Sequence, residues 1–290
     1  MAKIVGIHGI AQQYSGSYQL ADVWLSALRD GLIAADFDEA ARALSAADLK
    51  VAFFGDLFRP PGTMAATDPP YTAADISPGP ERDLLTALYD AAVDQDPALR
   101  APEGAMGRGT ATVQFMLSQL ARSKTFAKVA QRAFIGDLKQ VIAFLTDAAV
   151  KDRVLARVRE QVSSDTQVVI GHSLGSVVAY EYLCRERPEQ VKLLVTVGSP
   201  LGIRNVVFDK LTPTPASGRG AWPGAVVTWV NVADPDDIVA LRKDLAPLFP
   251  SSTPAMKVTD RLVDNGDASH AIDRYLNSRQ TGSAVGNALT

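Results

Sequence analysis

Two periods of apolar residues alternate along this chain. Short runs at Lys3 to His8, Leu49 to Phe54, 167–171, 191–198 and 225–232 are rich in Val, Ile and other apolar residues, Met256 to Val263 reads as a further short strand, and turn residues bound them. Continuous apolar runs of this length predict strands buried on both faces. Between them lie stretches with helical spacing. Leu20 to Ala35 reads as a helix with apolar residues at Val23, Leu25, Leu28 and Leu32, and 81–94, 110–122, 124–160, 174–187 and 271–278 also look helical. Strands separated by helices predict an α/β fold, a mostly parallel sheet with helices on both faces.

The most informative junction is Val168, Val169 and Ile170 running into Gly171-His172-Ser173-Leu174-Gly175, with the helix-compatible Ser176 to Tyr180 behind it. A Gly-x-Ser-x-Gly is weak by itself, but here a buried strand must turn sharply into a helix at the serine. Such a turn strains the central residue and holds its hydroxyl at the sheet's edge near the positive end of the helix. The N–H of Leu174 then points to where an oxyanion would form.

A serine hydroxyl needs a base. The chain has three histidines. His172 adjoins the serine, and the turn points its ring away. His8 ends a strand and reads as support for the following loop. His270, between the Asp264-Asn265-Gly266-Asp267 turn and a helical run, is left as the base. An acid to orient it is expected on the loop after strand 225–232, where Asp234, Asp236 and Asp237 compete.

These segments together resemble the α/β-hydrolase superfamily, and within it the lipase and esterase branch. The resemblance rests on His8-Gly9, Gly171 to Gly175, Gly198-Ser199-Pro200, the Asp-rich loop and His270. It implies a Ser173, Asp237, His270 triad, since Asp237-Ile238-Val239 best fits the family's pattern around the acid, with Asp234 and then Asp236 as alternatives. It also implies a second oxyanion donor from the loop after the first strand, the N–H of Ile10 or of Ala11. Two strands usual at the start of the family's core are missing, so a shortened core is expected over 1–58 and 161–290. Residues 59–160 are expected to form a helical cap or lid that includes the crossover helix.

The reaction so implied is hydrolysis of a carboxylic ester through an acyl-enzyme. The alternatives are a thioesterase, an acyltransferase or cyclase, and a non-catalytic scaffold that has kept the fold. Ser199 reads as a strand-end turn residue. In the insertion, Phe115, Met116, Leu117, Leu120, Phe126, Val129, Phe134 and Ile135 supply apolar surface for packing or for an apolar substrate. Arg122, Lys124, Lys128 and Arg132 are expected to face solvent.

Composition narrows the remaining choices. At 290 residues and 47% hydrophobic the chain is long enough for one large core. A net charge of −3 offers no basic footprint for nucleic acid. The single cysteine, Cys184, rules out an internal disulfide and fits a cytoplasmic protein, its thiol buried on the helix behind Ser173. Met1 to Ile10 is too short for a secretory signal, and no run of about 18 apolar residues suggests a membrane span. There is no His-Glu-x-x-His, Cys-x-x-Cys or phosphate-loop pattern, so no metal or cofactor is expected. Residues 280–290 read as a partly frayed tail.

Overall fold

A computed structural model describes residues 2–59, 70–101, 109–123, 125–126 and 129–290. Its centre is a six-stranded sheet. In chain order the strands are β1 (Ile4–Ile7), β2 (Leu49–Ala52), β3 (Val168–His172), β4 (Leu193–Val197), β5 (Thr228–Ala233) and β6 (Val258–Leu262). They lie side by side as β2-β1-β3-β4-β5-β6, and every pair is parallel. A parallel ladder needs a crossover between neighbours, and the helical periods of the sequence supply it.

The side chains of the strands alternate between two cores. Ile4, Val168, Ile170, Val195 and Val232 pack under α1 (Ser17–Ala34), α2 (Asp38–Ala43), α8 (Ile272–Leu276) and α9 (Arg279–Leu289). Val5, Ile7, Val169, Leu194 and Trp229 pack on the other face against α7 (Leu174–Glu186), in an apolar cluster that continues into α3 (Pro80–Gln95), α4 (Thr110–Leu120), α5 (Gln131–Thr146) and α6 (Ala148–Arg159). Both faces of the sheet are therefore covered by helices, which is why the inner strands β1, β3 and β4 are mainly apolar rather than alternating, while the edge strand β6 carries Thr259, Asp260 and Arg261. Among the described residues, no helix is long and apolar enough to cross a membrane.

Local chemistry sets several boundaries differently from the apolar periods. The expected helix over 124–160 is two helices, α5 and α6. Asp147 separates them by accepting the Ala149 and Val150 N–H groups at 2.8 and 3.1 Å, an N-cap that starts α6 afresh. β2 stops at Ala52 because Gly55–Phe58 closes into a short 3₁₀ turn. β5 begins at Thr228 rather than 225.

The expectation of a frayed tail is wrong. Residues 279–289 form α9, docked on α1, with Val285 and Gly286 buried. Its glycines permit the docking. A Cβ on Gly282 would lie 1.8 Å from the Gly31 carbonyl oxygen, so only bare backbone fits where the two helices cross.

Candidate active site

The strand-to-helix turn at the C-terminal end of β3 places Ser173. Its φ of 53° and ψ of −128° lie in a region that a residue with a side chain occupies only under strain. Three glycines make the turn possible. A Cβ on Gly171 would meet the Ser176 Cα at 2.5 Å, one on Gly175 would meet the Ile7 carbonyl oxygen at 2.0 Å, and one on Gly9 would meet the Ser173 Cβ at 2.8 Å. The serine is thus wedged between the start of α7 and the loop after β1. Leu174 is the first residue of α7, where an N–H has no acceptor within the helix.

His270 lies on the segment between β6 and α8. Its Nδ1 is 2.7 Å from Asp237 Oδ2, and of the three candidate aspartates Asp237 is the one whose carboxylate reaches it. Asp237 is fully buried. Burial alone would push its carboxyl up, but the facing imidazole and hydrogen bonds from His270, Tyr275 and Val239 outweigh that and hold it below its usual range. Asp234 serves the loops instead. Its two carboxylate oxygens accept the N–H groups of Asp236 and Asn265, which ties the turn after β5 to the turn after β6. Asp236 enters this turn through its own N–H.

Ser173 and His270 open onto one cavity of about 350 Å³. Ile10, Ala11 and Leu174 border it, and Leu88, Phe134, Leu138, Val141, Ile203 and Val207 give it an apolar wall. No hydrogen bond joins the Ser173 hydroxyl to His270 among the described residues. Such contacts are often long before substrate is bound. With Nδ1 engaged by Asp237, Nε2 is the ring nitrogen left to exchange a proton.

The other two histidines hold the frame. His8 Nδ1 donates to the Gly9 carbonyl at 2.6 Å, and its Nε2 accepts the Phe54 N–H at 3.1 Å, so it fixes the loop carrying Ile10 as a neutral ring. Burial lowers it to about 4. The ring of His172, lowered to about 3 chiefly by burial, donates Nε2–H to the His270 carbonyl at 2.9 Å. The residue next to the serine therefore fixes the backbone of the base.

These two imidazoles make stability depend on acidity. Each refuses in the folded state a proton that it accepts near 6.5 when unfolded, so the stabilisation is complete above about 6.5 and is lost as pH falls towards 4. Unfolding free energies measured in urea should fall by up to about 1.4 kcal/mol per pH unit for each histidine. A His172→Gln protein should show about half the slope. A flat profile between pH 6.5 and 4.5 would contradict the burial of neutral rings.

Several contributors were not visible in the sequence. Tyr275, fully buried on α8, donates its hydroxyl to Asp237 Oδ2 at 2.7 Å. Thr125 Oγ1 lies 3.3 Å from the Asp236 carbonyl and 3.4 Å from the Ser269 hydroxyl, and Gln95 Nε2 donates to the Pro235 carbonyl at 3.1 Å. The inserted segment thus touches the loops of both the acid and the base. Of the apolar residues expected there, Phe126, Val129 and Phe134 line the cavity, while Met116, Leu117 and Leu120 pack into the core. Lys124 and Lys128 lie outside the described residues. Ser199 bonds Ser176 Oγ at 2.7 Å and caps the turn at Pro200. Cys184 is partly buried on α7, and burial pushes its thiol up to about 12, which disfavours the thiolate.

Two further surfaces lack this chemistry. A groove of about 1070 Å³ between α9 and the opposite end of the sheet is lined by groups such as Gln167, Lys192, Thr228 and Asn287. Asp264 and Gly266 form a tight turn, the Gly266 N–H bonding the Asp264 carboxylate at 2.9 Å. Among the described residues, no cluster of His, Cys, Asp and Glu is arranged to hold a metal ion.

With this arrangement the chain falls in the α/β class, as a six-stranded parallel sheet with a Ser, His and Asp set at the C-terminal ends of its strands. Comparison with protein-family models, with curated proteins and with solved structures finds no significant match.

Proposed function

We propose that this protein is a serine hydrolase of the α/β-hydrolase type that cleaves a carboxylic ester. The observation that carries the reading is the strained Ser173 at the end of β3, sharing an apolar cavity with a His270 whose Nδ1 is held by a buried carboxylate. Strain at a polar residue is retained where function requires it, and a hydroxyl beside an oriented imidazole is a nucleophile with its base. In this reading α3 to α5 form a cap over the site. Their apolar side chains receive the acyl part of the ester and exclude water while the acyl-enzyme forms.

Ser173 Oγ attacks the carbonyl carbon as its proton passes to His270 Nε2. The carbonyl oxygen becomes an oxyanion held by the N–H groups of Leu174 and of Ile10 or Ala11, each donor contributing on the order of 3 kcal/mol. His270 returns the proton to the leaving alkoxide, the C–O bond breaks and the alcohol departs. Water, deprotonated by His270, then attacks the acyl-serine and releases the acid. Asp237 keeps the proton of His270 on Nδ1 and stabilises the imidazolium in both halves.

Steady-state hydrolysis of p-nitrophenyl esters of graded acyl length tests this reading. Asp237→Asn should lower kcat by about 10⁴, because the amide fixes the wrong imidazole tautomer. Asp234→Asn should weaken the fold and leave kcat per folded molecule within about tenfold of wild type. The reverse ranking would reassign the acid, and no hydrolysis of any ester by folded wild type would count against the reading as a whole.

A further inference from the structure

The carboxylate of Asp237 is held from every side, and one of its holders is a tyrosine hydroxyl. Oδ1 accepts the Val239 N–H at 2.9 Å and the Ala240 N–H at 3.4 Å. Oδ2 accepts two donors, His270 Nδ1 and the Tyr275 hydroxyl, both at 2.7 Å. The same hydroxyl accepts the Asp234 N–H at 3.0 Å. Tyr275 follows His270 by five residues, and α8 carries both its ring and the end of the His270 loop. One side chain therefore ties the base's segment to the start and the end of the acid's loop.

Packing leaves the phenol no other place. Tyr275 is fully buried, and a Cβ on Gly198 would stand 3.0 Å from its Cε2, 3.0 Å from Asp237 Oδ2 and 3.1 Å from His270 Nδ1. Gly198, at φ 55°, is the bare backbone floor on which all three groups meet. A buried phenol would lose a hydrogen bond if it turned, so its orientation is fixed by the same contacts that fix the carboxylate.

We infer that Tyr275 is a positioning residue for the Asp237–His270 pair, its hydroxyl sharing Oδ2 with the imidazole and so setting both the aim of the carboxylate and the strength of its pull on the His270 proton. The inference rests on the proposed role of His270 as the base. A donor on the shared oxygen spreads the negative charge and weakens the attraction for the imidazolium. The other charged or titratable groups around the pair include Asp137 of α5 and Asp273 of α8, which line the same cavity. Asp234 is engaged with Asp236 and Asn265, the Lys243 ammonium donates to the Asp237 carbonyl, and the His172 ring is centred 4.8 Å from that of His270. Asp236 lies on the same turn. None of them donates to Oδ2.

Tyr275→Phe removes the hydroxyl and keeps the ring. NMR titration of the full chain separates its outcomes, because burial keeps the His8 and His172 rings neutral down to about 4 and 3, so the imidazole that takes up a proton at higher pH is followed by assignment to position 270. The moving imidazole signal should titrate at higher pH in Tyr275→Phe, by roughly half a unit. On active protein the acid limb of kcat/KM should move the same way, with kcat down by about tenfold and KM unchanged. A purely structural role would lower the folded fraction and leave both midpoints in place. An unshifted or lowered His270 titration would overturn the inference. It would do so even if wild type proved to hydrolyse no ester, since the titration needs no substrate. Should Tyr275→Phe not fold, 3-fluorotyrosine at position 275, a stronger donor of nearly the same shape, should move the titration to lower pH. No movement there would overturn it equally.

Discussion

Ser173→Ala is expected to abolish ester hydrolysis while the protein stays folded. In the proposed mechanism the hydroxyl is the group that bonds to the substrate, and losing the nucleophile of such a set lowers kcat by roughly five orders of magnitude or more. The fold should not notice. The backbone of Ser173 is held by its N–H on the Val197 carbonyl at 3.1 Å and by its carbonyl, which accepts the Ser176 N–H at 2.9 Å, and alanine keeps both. Ser173→Gly should be equally inactive but more stable, by about 1 kcal/mol, because glycine adopts φ 53° and ψ −128° without strain. Thermal melting of the three proteins beside their kcat values checks the pair of statements. A glycine variant less stable than the alanine variant would mean that the turn is not strained.

Gly175→Ala should have the largest effect on stability. An added Cβ would lie 2.0 Å from the Ile7 carbonyl oxygen and 2.5 Å from that of His8, and both are backbone atoms that cannot swing aside. The helix cannot retreat either, since Val177, Val178, Ala179 and Tyr180 behind it are fully buried. Seating one methyl group means pulling the start of α7 away from β1, which opens the core and displaces the loop that carries Ile10. We expect a loss of about 4 kcal/mol or more, seen as insoluble protein or a collapsed urea midpoint. Gly16→Ala is the matched control, because nothing lies within 4 Å of its added Cβ. If Gly175→Ala melts like wild type, β1 and α7 are not packed as described.

Much of this fold can be read from apolar periodicity, because a sheet covered on both faces writes its inner strands as short runs rich in Val, Ile and Leu. The turn at Ser173 is legible for a related reason. Its glycines are needed where backbones nearly touch, and their spacing survives in the sequence. Docking of α9 is not legible, because the glycines that allow close contact with α1 look like those of a loose tail. The break at Asp147 is a cap rather than a change in period, so an apolar pattern runs straight through it.

At the site, local sequence could not separate Asp234 from Asp237. They sit three positions apart on one turn, and what differs is the partner each finds, Asn265 for one and His270 for the other. Tyr275 had no signal at all. A buried tyrosine on a short helix looks like core, and only the direction of its hydroxyl gives it a part in the site.

The central claim is that Ser173 is an activated nucleophile with His270 as its base, and labelling with a fluorophosphonate probe followed by intact-mass spectrometry tests it most directly. Wild type should gain one adduct, folded Ser173→Ala none, and His270→Ala should label far more slowly. Folded wild type without an adduct, or an adduct that persists in Ser173→Ala, would contradict it.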